Sequence, residues 1–213
     1  MPTGSTADCI VILDRTQMSK ISLANFDNSW YSPGRRLWVR AMWFCFGLPL
    51  LRCYLLPFSG IRCALLRAFG AQIGRGVVIK PGVRVKYPWR LRVDNHCWLG
   101  EDCWIDNLGD VSIGSDVCIS QAAYLCTGNH DRHDPAFGLI VKPIVLRDGS
   151  WIGAKSVICP GVELGEGAMA AAGSVVTHTI PAWEIHGGNP AEFIKRRLLS
   201  GAQADHLACA ATV

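Results

Sequence analysis

The chain has 213 residues, of which 50% are hydrophobic and 18% charged, with a formal net charge of +4. That length fits one domain with appendages, and the apolar share is enough for a sizeable core. Its ten cysteines are scattered without a C-x-x-C pair, which excludes a zinc ribbon or a thioredoxin-like site and points to a reducing compartment.

Residues 1–24 are weakly patterned and are expected to form a poorly ordered leader. They lack the basic segment followed by a long apolar run that marks a signal peptide. Residues 25–70 read as an apolar and basic helical segment after a turn-rich opening. The apolar run from Ala41 to Leu51 lies between Arg40 and Arg52 and contains Gly47 and Pro49. A membrane-spanning helix needs about 20 apolar residues, so this run is too short to cross. Two readings stay open: a pair of helices capping the end of the domain, or an interfacial element resting on a membrane. From Asn28 to Val93 every charged residue is Lys or Arg. Such a block favours phospholipid headgroups, a lipid-linked sugar diphosphate or an anionic glycan, unless it is simply a solvated face. No nucleic-acid motif accompanies it, and no nucleic-acid partner is expected.

Residues 71–199 carry a ladder of aliphatic residues six apart. Its rungs are Ile73, Ile79, Val85 and Leu91; then Leu99 and Ile105; then Ile113, Ile119 and Leu125. After a gap come Leu146, Ile152, Ile158, Leu164, Ala170 and Val176. A slip of two residues separates the early groups. A helix places apolar residues at 3.6-residue spacing and a strand at two, so period six fits neither. It is the mark of a hexapeptide β-helix, an all-β solenoid in which each hexad gives a short strand and a bend. Three hexads close a triangular coil, and coils stack about 4.8 Å apart. Gly153 and Gly165 follow rungs where the backbone is tight. Trp98, Trp104 and Trp151 each precede a rung and so point outward, to pack at subunit contacts or stack on a sugar. The irregular excursion 129–143 is the expected functional loop. Phe193 to Leu199 reads as a short C-terminal helix or an extended arm, and 200–213 as a disordered tail.

Several stretches carry a resemblance: Phe26-Asp27-Asn28-Ser29-Trp30-Tyr31, Trp104-Ile105-Asp106-Asn107-Leu108-Gly109, Leu125-Cys126-Thr127-Gly128-Asn129-His130-Asp131, Asp134-Pro135-Ala136-Phe137 and Gly187-Gly188-Asn189-Pro190-Ala191. Together with the hexads they resemble the hexapeptide-repeat acyltransferases, most nearly the colanic acid biosynthesis branch related to maltose and galactoside O-acetyltransferases. The resemblance implies a left-handed parallel β-helix, a homotrimer with active sites between subunits, and acetyl-CoA as co-substrate.

It also assigns residues. His130 matches the catalytic base, a residue type suited to taking a hydroxyl proton near neutral pH. Beside the resemblance, Asp131 and Asp134 flank His130 in sequence, and one carboxylate could orient its ring, as in other His-carboxylate pairs; Asp131 is the candidate, its other reading being to structure the loop. The amide of Ala154 matches an oxyanion donor, and Ala154, Ala172, Thr177, His178 and Lys195 match coenzyme positions. Related enzymes often have Lys where His178 stands and Arg where Glu192 stands. The family's acceptor Asn falls near Gly100, so Asp106 and Asn107 are the expected acceptor contacts; their other reading is corner hydrogen bonding. The γ-class carbonic anhydrases share the fold and bind zinc through a His-x4-His pair, but here the spacing is His130-x2-His133, and no metal is expected. The expected function is acetyl-CoA-dependent O-acetylation of a sugar hydroxyl in exopolysaccharide assembly, cytoplasmic and peripheral on the inner face of the inner membrane. A free sugar, a nodulation-type oligosaccharide or an amino sugar are rival acceptors. A zinc-dependent or non-enzymatic β-helix is the rival class.

Overall fold

The structure, a computed structural model, describes residues 20–56 and 58–199. The expectations for most of the leader and for the C-terminal tail fall outside the described residues. From Gln72 onward the chain winds as a parallel β-solenoid with three faces. The first face stacks Gln72–Ile73, Leu91–Val93, Val111–Ile113, Ile144–Leu146 and Glu163–Leu164. The second stacks Val78–Ile79, Trp98–Leu99, Cys118–Ile119, Trp151–Ile152 and Met169–Ala170. The third stacks Arg84–Val85, Trp104–Asp106, Tyr124–Cys126, Val157–Ile158 and Val175–Val176.

Strands of two or three residues have no fold of their own. They persist because every inward side chain sits on its equivalent one coil away, as in any solenoid. On the first face Ile73, Val93, Ile113, Leu146 and Leu164 are in register, and Ile180 bridges to Leu164. This corrects one rung: Ile73 pairs with Val93, and Leu91 pairs with Val111. Leu91 and Val93 are both buried, so apolar spacing alone cannot choose between them. The register puts the first slip between Val85 and Val93, where the 3-10 turn Pro88–Arg90 fills the extra length. The second slip lies between Ile105 and Ile113, and the long gap between Leu125 and Leu146. All three insertions therefore fall on one edge of the prism, where the third face turns into the first. Gly153 is required by a close approach: a Cβ there would lie 2.5 Å from the backbone nitrogen of Ala172 in the next coil.

The first coil would expose an unpaired edge, and the N-terminal segment covers it. A helix α1 (Leu37–Met42), a π-helical turn (Trp43–Gly47) and α2 (Leu48–Arg52) run without interruption, followed by α3 (Ser59–Ala68). Trp43 is fully buried and its indole N–H donates to the Val85 carbonyl at 3.1 Å. Its ring lies over Gly47, where any Cβ would collide with it. The Ile79 N–H donates to Ser59 Oγ at 2.7 Å, and the Ser59 hydroxyl donates to the Val77 carbonyl. Arg67 donates to the Ile73 and Gly74 carbonyls. Arg62 is buried and donates to the carbonyls of Leu51, Cys53 and Leu56, which locks α2 to α3.

At the other end, of the two readings for Phe193 to Leu199 the extended arm holds and the short helix does not. Ala191–Arg196 is a strand paired antiparallel with Glu184–Gly188, which itself extends the second face beyond Met169–Ala170. The open edge of the last coil supplies the backbone partners that turn an ambiguous apolar-basic stretch into a strand.

Two expectations follow. Arg62→Ala should lower stability by about 3 kcal/mol, on the scale of losing charge-assisted bonds to one buried and two half-buried carbonyls, read from the urea midpoint. Burial pushes the Cys103 thiol from its ordinary value near 9 up to about 12. Folding thus favours the protonated thiol, so this contribution is complete below pH 9 and is lost as pH rises towards 12. Alkylation of the native protein near neutral pH should modify exposed Cys45 and spare Cys103 until the chain is unfolded, as peptide mass spectrometry would show.

Candidate functional site

The edge that collects the insertions also carries His130. After Cys126 the chain leaves the coil at Thr127, which is fully buried. The Thr127 hydroxyl donates to the Asp106 carbonyl at 3.0 Å, and the Gly109 N–H donates to Thr127 Oγ1 at 2.9 Å. The excursion is more regular than its sequence suggests. Gly128–His130 pairs antiparallel with Leu139–Val141, in register Gly128 with Val141 and His130 with Leu139.

His130 sits at the end of this hairpin, half-buried. Its Nδ1 lies 2.7 Å from the Phe137 carbonyl. A carbonyl only accepts, so Nδ1 carries the proton and Nε2 the lone pair. The ring stacks on Phe137 at 4.4 Å and meets Phe26 edge-on at 5.6 Å. Asp134 builds the turn that aims that carbonyl: its Oδ1 accepts from the Ala136 N–H and its Oδ2 from the Gly138 N–H, both at 2.9 Å. Phe137 is held at φ 60°, a left-handed conformation that costs a bulky residue energy and needs such bracing.

Asp131 does not orient His130. Its carboxylate accepts from the His133 N–H at 2.8 Å, while Arg132 donates to His133 Nε2. The partner of His130 is a backbone carbonyl, which no search for carboxylates finds. Asp134, the other carboxylate near His130 in sequence, acts on the ring only through the turn it braces, and Phe26 and Phe137 pack the ring without any sequence signal of that role. The N-terminal segment is strapped along this edge: the Ser22 N–H donates to the Pro135 carbonyl, Tyr31 Oη to the Leu108 carbonyl, Arg90 to the Ser32 carbonyl, and Trp89 to the Pro33 carbonyl.

Asn107 is turned into the corner, away from the surface where an acceptor would bind. It is 0% exposed; its Oδ1 accepts from the Tyr87 N–H and its Nδ2 donates to the Tyr87 carbonyl. Both polar ends serve the corner, the alternative its sequence position allowed. Asp106 is nearly buried, 2.9 Å from Lys86 Nζ, and accepts from the Tyr124 hydroxyl. It faces the third face, where Trp104 stacks on Tyr124 at 4.6 Å and Arg84 covers Trp104.

The coenzyme candidates lie on different edges. Ala154 and Ala172 stack on the edge between the second and third faces, with the Gly173 N–H donating to the Ala154 carbonyl. Thr177 and His178 follow the last strand of the third face, on the His130 edge, with Thr177 Oγ1 2.9 Å from His178 Nδ1. Lys195 is exposed on the added C-terminal strand. Within one chain the whole third face separates His130 from Ala154. Outward positions differ by face as well. Gln72, Arg92, Ser112 and Glu163 on the first are mostly polar, whereas the second carries Trp98, Trp151 and Met169 and the third Trp104, Tyr124 and Val157. Among the described residues no group of three His, Cys, Asp or Glu is placed to hold a metal ion.

Stacked hexad coils define a hexapeptide-repeat β-helix protein, and comparison with known proteins gives the family. No family model matches the chain. The colanic acid biosynthesis acetyltransferase WcaF of Escherichia coli K12 is 41% identical over 137 residues, covering 64% of this chain and 75% of its own length. The hexapeptide-repeat acetyltransferase VCA0836 of Vibrio cholerae superposes with a TM-score of 0.68 at 26% identity, over 76% of this chain and 92% of its own; it has also been solved with acetyl coenzyme A. A maltose O-acetyltransferase of Clostridium difficile 630 gives 0.66 at 25% identity, over 79% and 92%. The chain belongs to the hexapeptide-repeat acetyltransferases, and its solenoid is their left-handed parallel β-helix.

The bracing of His130 is testable apart from chemistry. Asp134→Ala should reduce turnover about tenfold or more with little change in melting temperature, and the His130 ring nitrogens should lose their single-tautomer 15N signature. Asp134→Asn, which keeps one acceptor, should fall between.

Proposed function

We propose that the protein transfers acetyl from acetyl-CoA to a sugar hydroxyl of an exopolysaccharide precursor, with His130 as general base. The tie between His130 Nδ1 and the Phe137 carbonyl carries this reading, because it leaves Nε2 as the free basic nitrogen. Nε2 takes the hydroxyl proton as the sugar oxygen attacks the thioester carbonyl. The tetrahedral oxyanion is met by the Ala154 amide, a backbone donor of the kind such intermediates need. The C–S bond then breaks, the imidazolium returns its proton to the departing coenzyme A sulfur, and the sugar ester is released without an acyl-enzyme. Ala172, Thr177, His178 and Lys195 are the proposed coenzyme contacts. Lys195 with Arg196 gives cations suited to its phosphates.

The separation of His130 and Ala154 on different edges supports a homotrimer in which the His130 edge of one subunit meets the Ala154 edge of the next. A threefold ring needs two different, complementary surfaces per subunit, and the aromatic second and third faces are suited to be those surfaces while the polar first face meets water. The similarity to WcaF supports a colanic-acid-like glycan as acceptor.

His130→Ala should cut acetyl-CoA turnover at least ~100-fold in a folded protein, the usual scale of general-base loss. Near-normal thiol release from that variant would end the assignment. Trimer sites predict complementation: mixing His130→Ala with Ala172→Trp, each inactive, should restore about one quarter of the sites in randomly mixed rings. No recovery on mixing, with exchange of subunits confirmed by native mass spectrometry, would place both residues in one subunit's site.

A further inference from the structure

The helical cap has two apolar sides, and the coil uses only one. Trp43, Gly47 and Leu51, four apart, are buried against the first coil. Trp38, Met42, Phe46 and Leu50, also four apart, form a second stripe on the same helical run, with Trp38 64% and Phe46 65% exposed. Side chains at i and i+4 share a helix face, so this stripe is a continuous outer surface. The connection to α3 adds to it: Leu55 is 90% exposed and Phe58 67%. A helix apolar all round is expected inside a core or against lipid, and exposed patches of this kind mark docking sites.

We propose that this outer face of the cap docks on an anionic lipid bilayer. Charge selects the occupant. Arg35 and Arg36 stand exposed at the start of the helical run and Arg52 at its end, and none of the three pairs with a carboxylate among the described residues. The segment itself, from Asn28 to Val93, contains no acidic residue, and Asp102, near the end of the helical run, is engaged by the Tyr54 hydroxyl. A second copy docking face to face would bring these cations together, which opposes association. A bilayer supplies anionic headgroups beside an apolar interior, and Trp38 belongs at that boundary. The run from Leu37 to Arg52 is about 24 Å long at ~1.5 Å per residue, and no helix of the described residues is long and apolar enough to cross a membrane. It therefore lies in the interface. Trp43, the face toward the coil and the capping bonds are untouched, so docking does not compete with folding. This inference does not depend on the acetyl-transfer reading.

The test is co-sedimentation of the full chain with vesicles of phosphatidylcholine, alone or mixed with phosphatidylglycerol, at low and high salt. Binding should require phosphatidylglycerol and fall at least about tenfold in high salt, where charge attraction is screened. The double substitution Phe46→Ser with Leu55→Ser should lower binding about tenfold or more while leaving the urea midpoint and thiol release with a soluble acceptor unchanged. Negligible binding to both vesicle types overturns the proposal, as does binding that the double variant retains. A concentration-dependent doubling of mass that the double variant abolishes would identify a second copy as the occupant and overturn it equally. Loss of acetyl transfer by the unaltered protein would bear on the catalytic reading alone.

Discussion

Stacking of inward aliphatic side chains between coils governs the rest of this molecule. A coil of two-residue strands buries nothing by itself, and each inward Ile, Leu or Val gains its burial, about 1.5–3 kcal/mol when complete, only from the coils above and below. Such a stack has no natural end. Both ends must be closed by something else, and the chain closes them differently: helices with Trp43, Ser59 and Arg67 at the first coil, and the antiparallel strands Glu184–Gly188 and Ala191–Arg196 at the last. Arg62, which satisfies three carbonyls without a carboxylate, holds the first closure together.

The same stacking decides where irregularity is tolerated. An insertion within a strand would shift the inward set and break the column on every coil beyond it. An insertion at a corner leaves the column intact if neighbouring coils make room. Here the two-residue slips at 86–90 and 106–110 prepare the edge on which the long hairpin emerges, and Asn107 and Thr127 stitch the levels together through backbone groups. The hairpin is thus anchored in buried hydrogen bonds at its base, and its tip is braced by Asp134. The His130 ring is fixed by the Phe137 carbonyl, by packing against the rings of Phe137 and Phe26, and by the one carboxylate that braces the turn.

A site assembled this way is open on one side. His130 stands on this edge and Ala154 on another, and the third face between them carries stacked Trp104 and Tyr124 with Arg84. The proposed mechanism, which uses both residues in one site, therefore requires chains to associate, and association needs no further change of fold.

The sequence alone determined the solenoid, because a six-residue period in aliphatic residues has no other economical explanation, and it marked the break at His130 because nothing apolar continues the ladder there. It determined the absence of acid from Asn28 to Val93. Only tertiary structure decided that Val93, not Leu91, is the rung, since both are apolar and buried and only pairing distinguishes them. Likewise, Ala191–Arg196 became a strand through the open edge beside it. Asn107 lost its expected contact with acceptor to a buried corner, and Asp131 lost His130 to the Phe137 carbonyl. Backbone carbonyls are present at every position and leave no trace in residue identity, so their partners are settled by the fold.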